Sequence, residues 1–317
     1  MRRPLLFTTE AYQYMAAELL ANNDLAAGAL DCATLPGNER YLRIKGSVAG
    51  EDVVLLGGAF DPASTLEIYN LAWALVIQGA ARLTLVMPYF AYATMDTQEP
   101  SGEVVAIRAQ CQMLSNLPKA PGGNDIILFH SHARSLDNYF TNGTRAYVAS
   151  CTPFVVTAAR ALAAGRPFVL ATTDAGNLQF VHELAGQLRV EPAAVLSGAA
   201  GTQILTAEGG GVQGKLVIIY HDRIRTGVSL AKAARVCRRS GASEVHAICT
   251  HGIFAGRALE LLKVAGRFDQ IVVSNSHPHT QQVKPHAAVV EVGALLGKKL
   301  MAVLRPQQGR GIMSSHD

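Results

Sequence analysis

The chain has 317 residues, of which 49% are hydrophobic and 16% are charged, with a formal net charge of +4. This length suits two compact domains, and the composition supplies enough apolar side chains for buried cores. The longest apolar runs, Leu71–Ile77 and Leu216–Tyr220, fall far short of the roughly 20 residues of a membrane span. These short runs argue against a membrane-spanning segment. Lysine and arginine are spread thinly along the chain, which argues against a nucleic-acid partner.

The N-terminus and the cysteines bear on the compartment. The first ten residues, MRRPLLFTTE, lack the hydrophobic stretch of a signal peptide. Five cysteines are scattered without a CxxC pair: Cys32, Cys111, Cys151, Cys237 and Cys249. This spacing argues against a zinc knuckle or a disulfide framework and fits a reducing compartment. We expect a cytoplasmic protein with buried thiols.

Apolar, β-branched runs alternate with amphipathic segments along the chain. In chain order the predicted strands are Asp52–Gly57, Leu83–Pro88, Asp125–His130, Pro167–Thr172, Lys215–Tyr220, Glu244–Cys249 and Gln270–Ser274. The predicted helices are Ala63–Gln78, Glu103–Ser115, Phe154–Ala164, Leu178–Leu188, Leu230–Ser240 and Gly256–Ala265. Continuous hydrophobicity is typical of strands buried on both faces of a parallel sheet. The alternation therefore predicts βαβ units and a layered α/β fold.

Small residues mark a domain boundary and a loop. The stretch Tyr147–Thr152 precedes a predicted helix, so we place the boundary near Ser150, between residues 1–150 and 151–317. The segment Ser197–Gly214 is rich in Gly, Ala and Thr and is predicted to form a loop or a hairpin. The tail after Arg305 is expected to be frayed.

Polar and titratable residues follow most of the predicted strands. These segments are Pro88–Asp96, His130–His132, Thr172–Gly176, Tyr220–Ser229, Thr250–Gly252 and Ser274–His279. Because ligands bind at the carboxyl edge of open parallel sheets, this concentration predicts a site at that edge.

The sharpest of these segments is the turn between the strand Lys215–Tyr220 and the helix that follows it. A Thr226-Gly227-Val228-Ser229 turn into a helix presents backbone N–H groups and the positive end of the helix dipole to an anion. Thr226 and Ser229 add hydroxyl donors, and Gly227 permits close approach of the backbone. The alternative is an ordinary helix N-cap formed by Ser229.

This turn resembles the ribose-phosphate loop of the ribose-phosphate diphosphokinases, which make phosphoribosyl diphosphate and AMP from ATP and ribose 5-phosphate. Other segments resemble the motifs of that family in the same order: Leu35-Pro-Gly-Asn-Glu39, Val86–Asp96, Gly102–Arg108, Phe129–Phe140 and Gly241–Phe254. The resemblance covers roughly residues 35 to 278. It implies two phosphoribosyltransferase-like domains, each a mainly parallel sheet flanked by helices.

The resemblance also implies roles for individual residues. Residues Asp222, Arg225, Thr226, Gly227, Val228 and Ser229 would bind the phosphorylated pentose. Gly37, Asn38 and Glu39, with Thr94 and Met95, occupy the positions that contact the adenine nucleotide ATP. His130 and Asp174 match the residues associated with Mg²⁺, which prefers carboxylate, water and phosphate oxygens. An Asp174 that merely caps the following helix is the alternative. Members of the family form oligomers, so we expect a homo-oligomer.

Several departures from the family pattern fall on residues with chemical roles. Thr94-Met95 replaces an Arg-Gln pair that holds the nucleotide. The interval between Arg189 and Lys215, where the family carries a catalytic Lys-Arg pair, contains neither residue type. His221 and Arg225 replace two acids of the ribose loop. Phosphoryl transfer depends on such cations, so we expect binding to survive better than transfer.

Three functions remain open from the sequence. The first is a working diphosphokinase, and the second is a non-catalytic homologue that binds sugar phosphate or nucleotide. The third is an enzyme of altered reaction, in which His130, His221 and Asp222 perform acid–base chemistry on a phosphorylated sugar. Arg225 reverses the local charge and favours a more highly phosphorylated ribose. The alternative is an Arg225 that pairs with Asp222 or extends into solvent.

Overall fold

Parallel strands built from the continuous apolar runs form two sheets. The computed structural model describes residues 2–93, 102–130, 136–198, 201–206, 211–284 and 286–305. In chain order the strands are β1 Leu5–Thr8, β2 Ala26–Ala27, β3 Ala29–Thr34, β4 Arg40–Lys45, β5 Asp52–Leu56, β6 Arg82–Met87, β7 Asn124–Phe129, β8 Arg145–Ala149, β9 Phe168–Thr172, β10 Glu191–Gly198, β11 Gly201–Thr206, β12 Leu216–Ile224, β13 Glu244–Gly252, β14 Gln270–Ser274 and β15 Ala288–Val290.

The first sheet has the order β2-β1-β5-β6-β7-β8, and all of its neighbours are parallel. The second has the order β11-β10-β9-β12-β13-β14-β15 and is parallel except at the pair β10–β11. Strands β3 and β4 form a separate antiparallel hairpin. The predicted α/β class with two mainly parallel sheets is therefore confirmed.

Helices cover the sheets. They are α1 Gln13–Asn22, α2 Pro62–Ile77, α3 Ala106–Ser115, α4 Thr152–Ala163, α5 Leu178–Leu188, α6 Val228–Arg239, α7 Ala258–Leu261, α8 Thr280–Val283 and α9 Gly293–Leu304. Local chemistry sets their starts: at α2, Asp61 accepts a hydrogen bond from the Ser64 backbone N–H at 2.7 Å, and Pro62 is the first helical residue. Within the described part of the chain, no helix combines the length and apolar character needed to cross a bilayer.

The last helix returns to the first sheet. Helix α9 packs against α1, β7 and β8, although the strands that precede it belong to the second sheet. One core contains Tyr12 and Ile127 from the first half together with Val155, Ile218 and Leu296 from the second. The domain boundary near Ser150 remains a proposal. Helix α9 lies after this boundary in sequence but packs on the first sheet, so a simple division at Ser150 would separate α9 from the sheet that it contacts.

The carboxyl edges of the two sheets face each other. The Tyr12 hydroxyl donates to the Ser276 carbonyl at 3.0 Å, and the Tyr14 hydroxyl donates to the Asn275 carbonyl at 2.6 Å. The Tyr89 ring, after β6, packs edge-on against the rings of His251 and His277 from the second half. Residues that follow strands of both sheets are thereby brought together.

Candidate functional site

The turn after β12 forms the N-terminal end of α6. Gly227 occupies the N-cap position with φ 74°, a left-handed conformation that glycine adopts without strain. No side chain caps the helix, which begins at Val228, so the alternative in which Ser229 is the N-cap is wrong. The first backbone N–H groups of a helix have no partner within it, and here they are left for another acceptor.

A cavity of about 410 Å³ opens at this turn. Its walls are residues 221–230 together with Asp174, which follows β9. This volume lies within the roughly 300–1,000 Å³ of small-molecule sites. The structure therefore places Asp174, His221, Asp222 and the loop Arg225–Ser229 around one space, as the sequence predicted.

Asp222 is the most constrained side chain of the cavity. It is 2% exposed, and its Oδ1 lies 3.0 Å from His221 Nδ1 and 3.4 Å from Asn177 Nδ2. Its Oδ2 lies 3.2 Å from Arg223 Nε. Because His221 Nδ1 is engaged by Asp222, Nε2 is the ring nitrogen that remains for another partner. Asp222 therefore fixes the orientation of His221.

Asp174 caps a helix and lines the cavity at the same time. Its Oδ1 accepts a hydrogen bond from the Gly176 backbone N–H at 2.9 Å, at the start of a short 3-10 helix, Ala175–Asn177. Asn177 Nδ2 lies 3.4 Å from both Asp174 Oδ2 and Asp222 Oδ1. The side chain of Asn177 thus bridges the two carboxylates, and the capping role does not remove Asp174 from the cavity.

The donor set at this cavity suits magnesium bound through few protein ligands. Among the described residues, no group of three His, Cys, Asp or Glu side chains is placed to hold a metal ion. Two carboxylates, those of Asp174 and Asp222, nevertheless line the same cavity. Because Mg²⁺ keeps several waters and is completed by substrate phosphates, one or two carboxylates are enough for such a site.

His130 lies away from the lining of this cavity. It follows β7 with φ 37°, its ring packs against Phe180, and its Nε2 lies 3.0 Å from the Tyr220 hydroxyl. Its backbone carbonyl accepts a hydrogen bond from His251 Nε2 at 3.0 Å. These contacts connect β7 of the first sheet with β12 and β13 of the second. The predicted metal-binding and catalytic roles of His130 stay predictions.

The predicted nucleotide turn is the exposed tip of the β3–β4 hairpin. Leu35 N–H donates to the Glu39 carbonyl at 2.8 Å, and Gly37 and Asn38 adopt positive φ of 88° and 70°. Gly37, Asn38 and Glu39 are exposed and do not belong to the described lining of the cavity. The other two predicted nucleotide contacts, Thr94 and Met95, lie outside the described residues.

Sequence reasoning missed Arg223 and Asn177, the two side chains that hold Asp222. Arg223 directly follows Asp222 in β12. Asn177 belongs to the polar segment that begins at Thr172, where β9 ends. That polar run after β9 was the signal available for Asn177. The partner of Asp222 could not be read from spacing, because Arg223, one residue away, and Arg225, three residues away, are both near it in sequence.

Two histidines between the sheets make stability depend on pH. Burial lowers the pKa of His251 to about 3 and that of His277 to about 4. Because both values lie below those of the unfolded chain, the stabilisation is present above about pH 6.5 and is lost as the pH falls toward 4.

We expect the unfolding free energy to fall between pH 6.5 and pH 4, with His277 contributing about 3 kcal/mol to the change. Urea unfolding at a series of pH values measures it. His277→Asn should flatten the profile, since the amide is not protonated in this range. Exposed His182→Asn is the control and should leave the slope unchanged. An identical slope in the His277→Asn protein would show that His277 is not protonated on unfolding.

Comparison with known proteins identifies matching domain families and relatives of nearly full length. Residues 5–117 match the N-terminal domain of ribose phosphate pyrophosphokinase, and residues 204–305 match the phosphoribosyl synthetase-associated domain. The chain is 27% identical over 310 residues to a ribose-phosphate pyrophosphokinase of Prochlorococcus marinus, covering 96% of this chain and 91% of that relative. It is 26% identical over 315 residues to the corresponding protein of Rhodopirellula baltica, covering 97% of each.

A solved structure shows the same fold over both halves. The crystal structure of phosphoribosylpyrophosphate synthetase from Mycobacterium smegmatis superposes with a TM-score of 0.85 at 24% identity, covering 95% of this chain and 99% of that one. The second matched region, residues 204–305, contains β12 and the turn that follows it, and the relatives extend over nearly the whole length. The chain therefore belongs to the ribose-phosphate pyrophosphokinase family, as a distant member.

Proposed function

We propose that the protein binds a phosphorylated pentose, with the phosphate held by the turn Arg225–Ser229. The observation that carries this proposal is the uncapped N-terminus of α6, with Gly227 in the left-handed conformation, on the wall of a 410 Å³ cavity. Backbone N–H groups and the helix dipole favour a dianionic phosphate there, and the hydroxyls of Thr226 and Ser229 add donors. Ribose 5-phosphate, the sugar substrate of the family reaction, is the first ligand to test.

Asp174 and Asp222 are the residues that would hold Mg²⁺ at this cavity. The ion would offset phosphate charge on the bound ligand, and the two carboxylates would orient its water shell. Asn177 and Arg223 keep the carboxylates in place. ATP is the second candidate ligand. Because Gly37–Glu39 lies away from the cavity within one chain, we propose that a homo-oligomer supplies the turn from a neighbouring subunit.

The sequence favours a protein that still binds sugar phosphate but transfers pyrophosphate from ATP poorly. No lysine or arginine occurs in residues 190–214, which include strands β10 and β11, and Thr94-Met95 lacks the charge and amide of the family pair. Stabilising the charge of a moving phosphoryl group is the main task of such cations. We therefore propose a sugar-phosphate-binding homologue in which pyrophosphate transfer from ATP is strongly reduced, with regulation of a catalytic relative as its role.

Ribose 5-phosphate should raise the thermal stability of the protein, because a ligand at one hundred times its dissociation constant adds about 2.7 kcal/mol to the folded state. Differential scanning fluorimetry with and without Mg²⁺ measures the shift. In Gly227→Ala the new Cβ would lie 3.0 Å from Leu262 Cγ on a backbone of positive φ, so the turn is distorted and the ligand-induced shift is lost.

The matched control is Gly186→Ala on α5, where an added Cβ meets nothing within 4 Å. This variant should keep the ligand-induced shift in full. The quantity compared is the ligand-induced change in melting temperature of each variant. This comparison cancels the loss of stability that the substitution itself causes. If ribose 5-phosphate fails to stabilise the unaltered protein at millimolar concentration, the proposed function is wrong.

The His221–Asp222 pair supports a second candidate function. A buried carboxylate 3.0 Å from Nδ1 orients the imidazole and leaves Nε2 able to take a proton from a ligand in the cavity. This arrangement suits acid–base chemistry on a sugar phosphate without ATP. Metal-dependent turnover of a pentose phosphate, lost in His221→Asn while binding is kept, would select this candidate. Absence of turnover across pentose phosphates would reject it.

A further inference from the structure

Helix α6 presents a row of cations to solvent. Lys232, Arg235 and Arg239 are exposed, and their spacing of three and four residues places them on one stripe of the helix. At a rise of about 1.5 Å per residue, this stripe is roughly 10 Å long. Helix α6 contains no Asp or Glu, and within the described part of the chain none of the three cations forms an ion pair. Three positive charges on this stripe therefore have no carboxylate partner among the described residues.

The turn that follows α7 extends this row on one side. This turn, Leu262–Gly266, packs on α6, and Arg238 Nη2, near the end of the helix, donates to the Arg267 carbonyl at 3.2 Å. Arg267 and Lys263 are exposed, and Lys263 Nζ lies 2.7 Å from His286 Nδ1, a contact that supplies no negative charge. The fold thus gathers cations that are far apart in the sequence. We call these residues the basic face: Lys232, Arg235, Arg239, Lys263 and Arg267.

The acids beside the basic face are already paired with other arginines. Glu260 accepts a hydrogen bond from Arg257 Nε at 2.7 Å, and Asp269 pairs with Arg238. Residues 228–269 contain seven lysines and arginines but three aspartates and glutamates, so their net charge of +4 equals that of the whole chain. The excess positive charge of the protein is therefore concentrated in the segment that carries the basic face.

Two exposed apolar side chains border the basic face. Val228, one turn before Lys232 on the same stripe, is 45% exposed, and Val264, next to Lys263, is 73% exposed. Nucleic-acid phosphates make no use of such apolar contacts, and single strands are bound through aromatic rings, which the basic face lacks. An anionic bilayer is likewise held by large side chains such as Trp, Phe and Leu. Guanidinium groups fit the two oxygens of a carboxylate, so this surface suits a protein segment in which carboxylates accompany apolar side chains.

We propose that the basic face binds an acidic, amphipathic segment of another protein. Carboxylates along one side of the partner segment pair with Lys232, Arg235 and Arg239, and an apolar side chain contacts Val264. The five residues of the basic face do not belong to the described lining of the cavity, so this interaction goes beyond the proposed sugar-phosphate function and does not depend on it. Because all five side chains are exposed, added salt should weaken the complex.

Fluorescence anisotropy with a labelled acidic peptide tests this inference. The probe is a helical peptide with glutamates and leucines along one face, and the comparison probe is a single-stranded oligonucleotide of the same net charge. The peptide should bind more tightly than the oligonucleotide, and its affinity should fall as salt is added. The triple variant Lys232→Gln, Arg235→Gln, Arg239→Gln should bind it at least about tenfold more weakly, because each exposed contact contributes roughly two- to fivefold.

A matched control removes the same charge elsewhere. In the variant Arg43→Gln, Arg160→Gln, Lys298→Gln, the substituted side chains are exposed on β4, α4 and α9. This variant should keep the affinity of the unaltered protein, which separates a local contact from an effect of net charge. Carbodiimide coupling joins lysine amines to carboxylates that contact them and needs no substitution. Mass spectrometry should find the peptide coupled at Lys232 and Lys263.

An affinity of the triple variant equal to that of the unaltered protein would overturn the inference, as would coupling confined to lysines outside the basic face. A peptide that fails to bind at low ionic strength would also overturn it. Tighter binding of the oligonucleotide, or of vesicles of phosphatidylserine and phosphatidylcholine, would contradict an acidic protein segment as the partner. None of these outcomes bears on the binding of ribose 5-phosphate.

Discussion

Purified protein should form AMP from ATP and ribose 5-phosphate at least about a thousandfold more slowly than a competent ribose-phosphate pyrophosphokinase. The reason is the absence of lysine and arginine from residues 190–214, together with Thr94-Met95. A cation that contacts the moving phosphoryl group contributes roughly 10³–10⁵ in rate in comparable reactions. We propose that two such cations are missing from this protein, because residues 190–214 contain no lysine or arginine.

A coupled assay for AMP at saturating Mg²⁺ and both substrates makes the measurement, with a competent relative as the positive control. Asp222→Asn protein reveals the background of contaminating enzymes, because a genuine activity at this cavity would fall when Asp222 loses its charge. Mixing the protein with the competent relative tests whether another subunit supplies the missing cations. AMP formation near the rate of the control by the protein alone would contradict the proposal that transfer is reduced.

Asp125→Ala should be strongly destabilising, costing about 3–5 kcal/mol. The Asp125 side chain is fully buried and accepts hydrogen bonds from Arg82 Nε at 2.9 Å and Arg145 Nε at 2.6 Å. Arg82 Nη2 also donates to the Val303 carbonyl at 2.9 Å, near the end of α9. Removing the carboxylate leaves a charge uncompensated where β6, β7 and α9 meet.

Urea unfolding of Asp125→Ala and the unaltered protein measures this loss as a lower midpoint. Glu260→Gln is the matched control, because it breaks an ion pair with Arg257 whose side chains are 57% and 84% exposed. Solvent screens that pair, so little change is expected. Equal midpoints for Asp125→Ala and the unaltered protein would show that this buried cluster does not hold α9 on the first sheet.

The strands that were predicted from the sequence are those with continuous apolar runs. Each of the seven was found within one residue of its predicted start, because short, β-branched apolar runs of this kind are typical of strands that are buried on both faces. Strands β12 and β13 continue past the predicted ends, through the pairs His221↔Cys249 and Ile224↔Gly252. Their polar residues extend the strands because the neighbouring backbone supplies the hydrogen bonds.

Strands with mixed or weak patterns were not predicted. In β4, Arg40–Lys45, exposed and partly buried residues alternate, and its pairing partner β3 supplies the register. Strand β10 contains Pro192 and ends at Gly198, both unfavourable in strands, yet it pairs with β9 and with β11 as one arm of a hairpin. Tertiary pairing, rather than local propensity, decides these segments.

Several residues that line the cavity could be predicted from the sequence, but the ion pairs and hydrogen bonds between them could not. The Thr-Gly-x-Ser turn, the polar strand ends and the family resemblance indicated Asp174, His221, Asp222 and Arg225–Ser229 before the fold was known. The pairing of Asp222 with Arg223 rather than with Arg225 depends on side-chain directions at the end of β12. The location of His130 against Tyr220 and Phe180 depends on how the two sheets face each other, which spacing in the sequence does not encode.

Amide chemical shifts of ¹⁵N-labelled protein during titration with ribose 5-phosphate test the central claim most directly, because they report on the N–H groups proposed to bind the phosphate. The account predicts saturable shifts at Gly227, Val228 and Ser229 that are larger than those on the exposed faces of α2 and α9. Saturable shifts confined to residues outside the cavity, or none up to millimolar ligand, would contradict it.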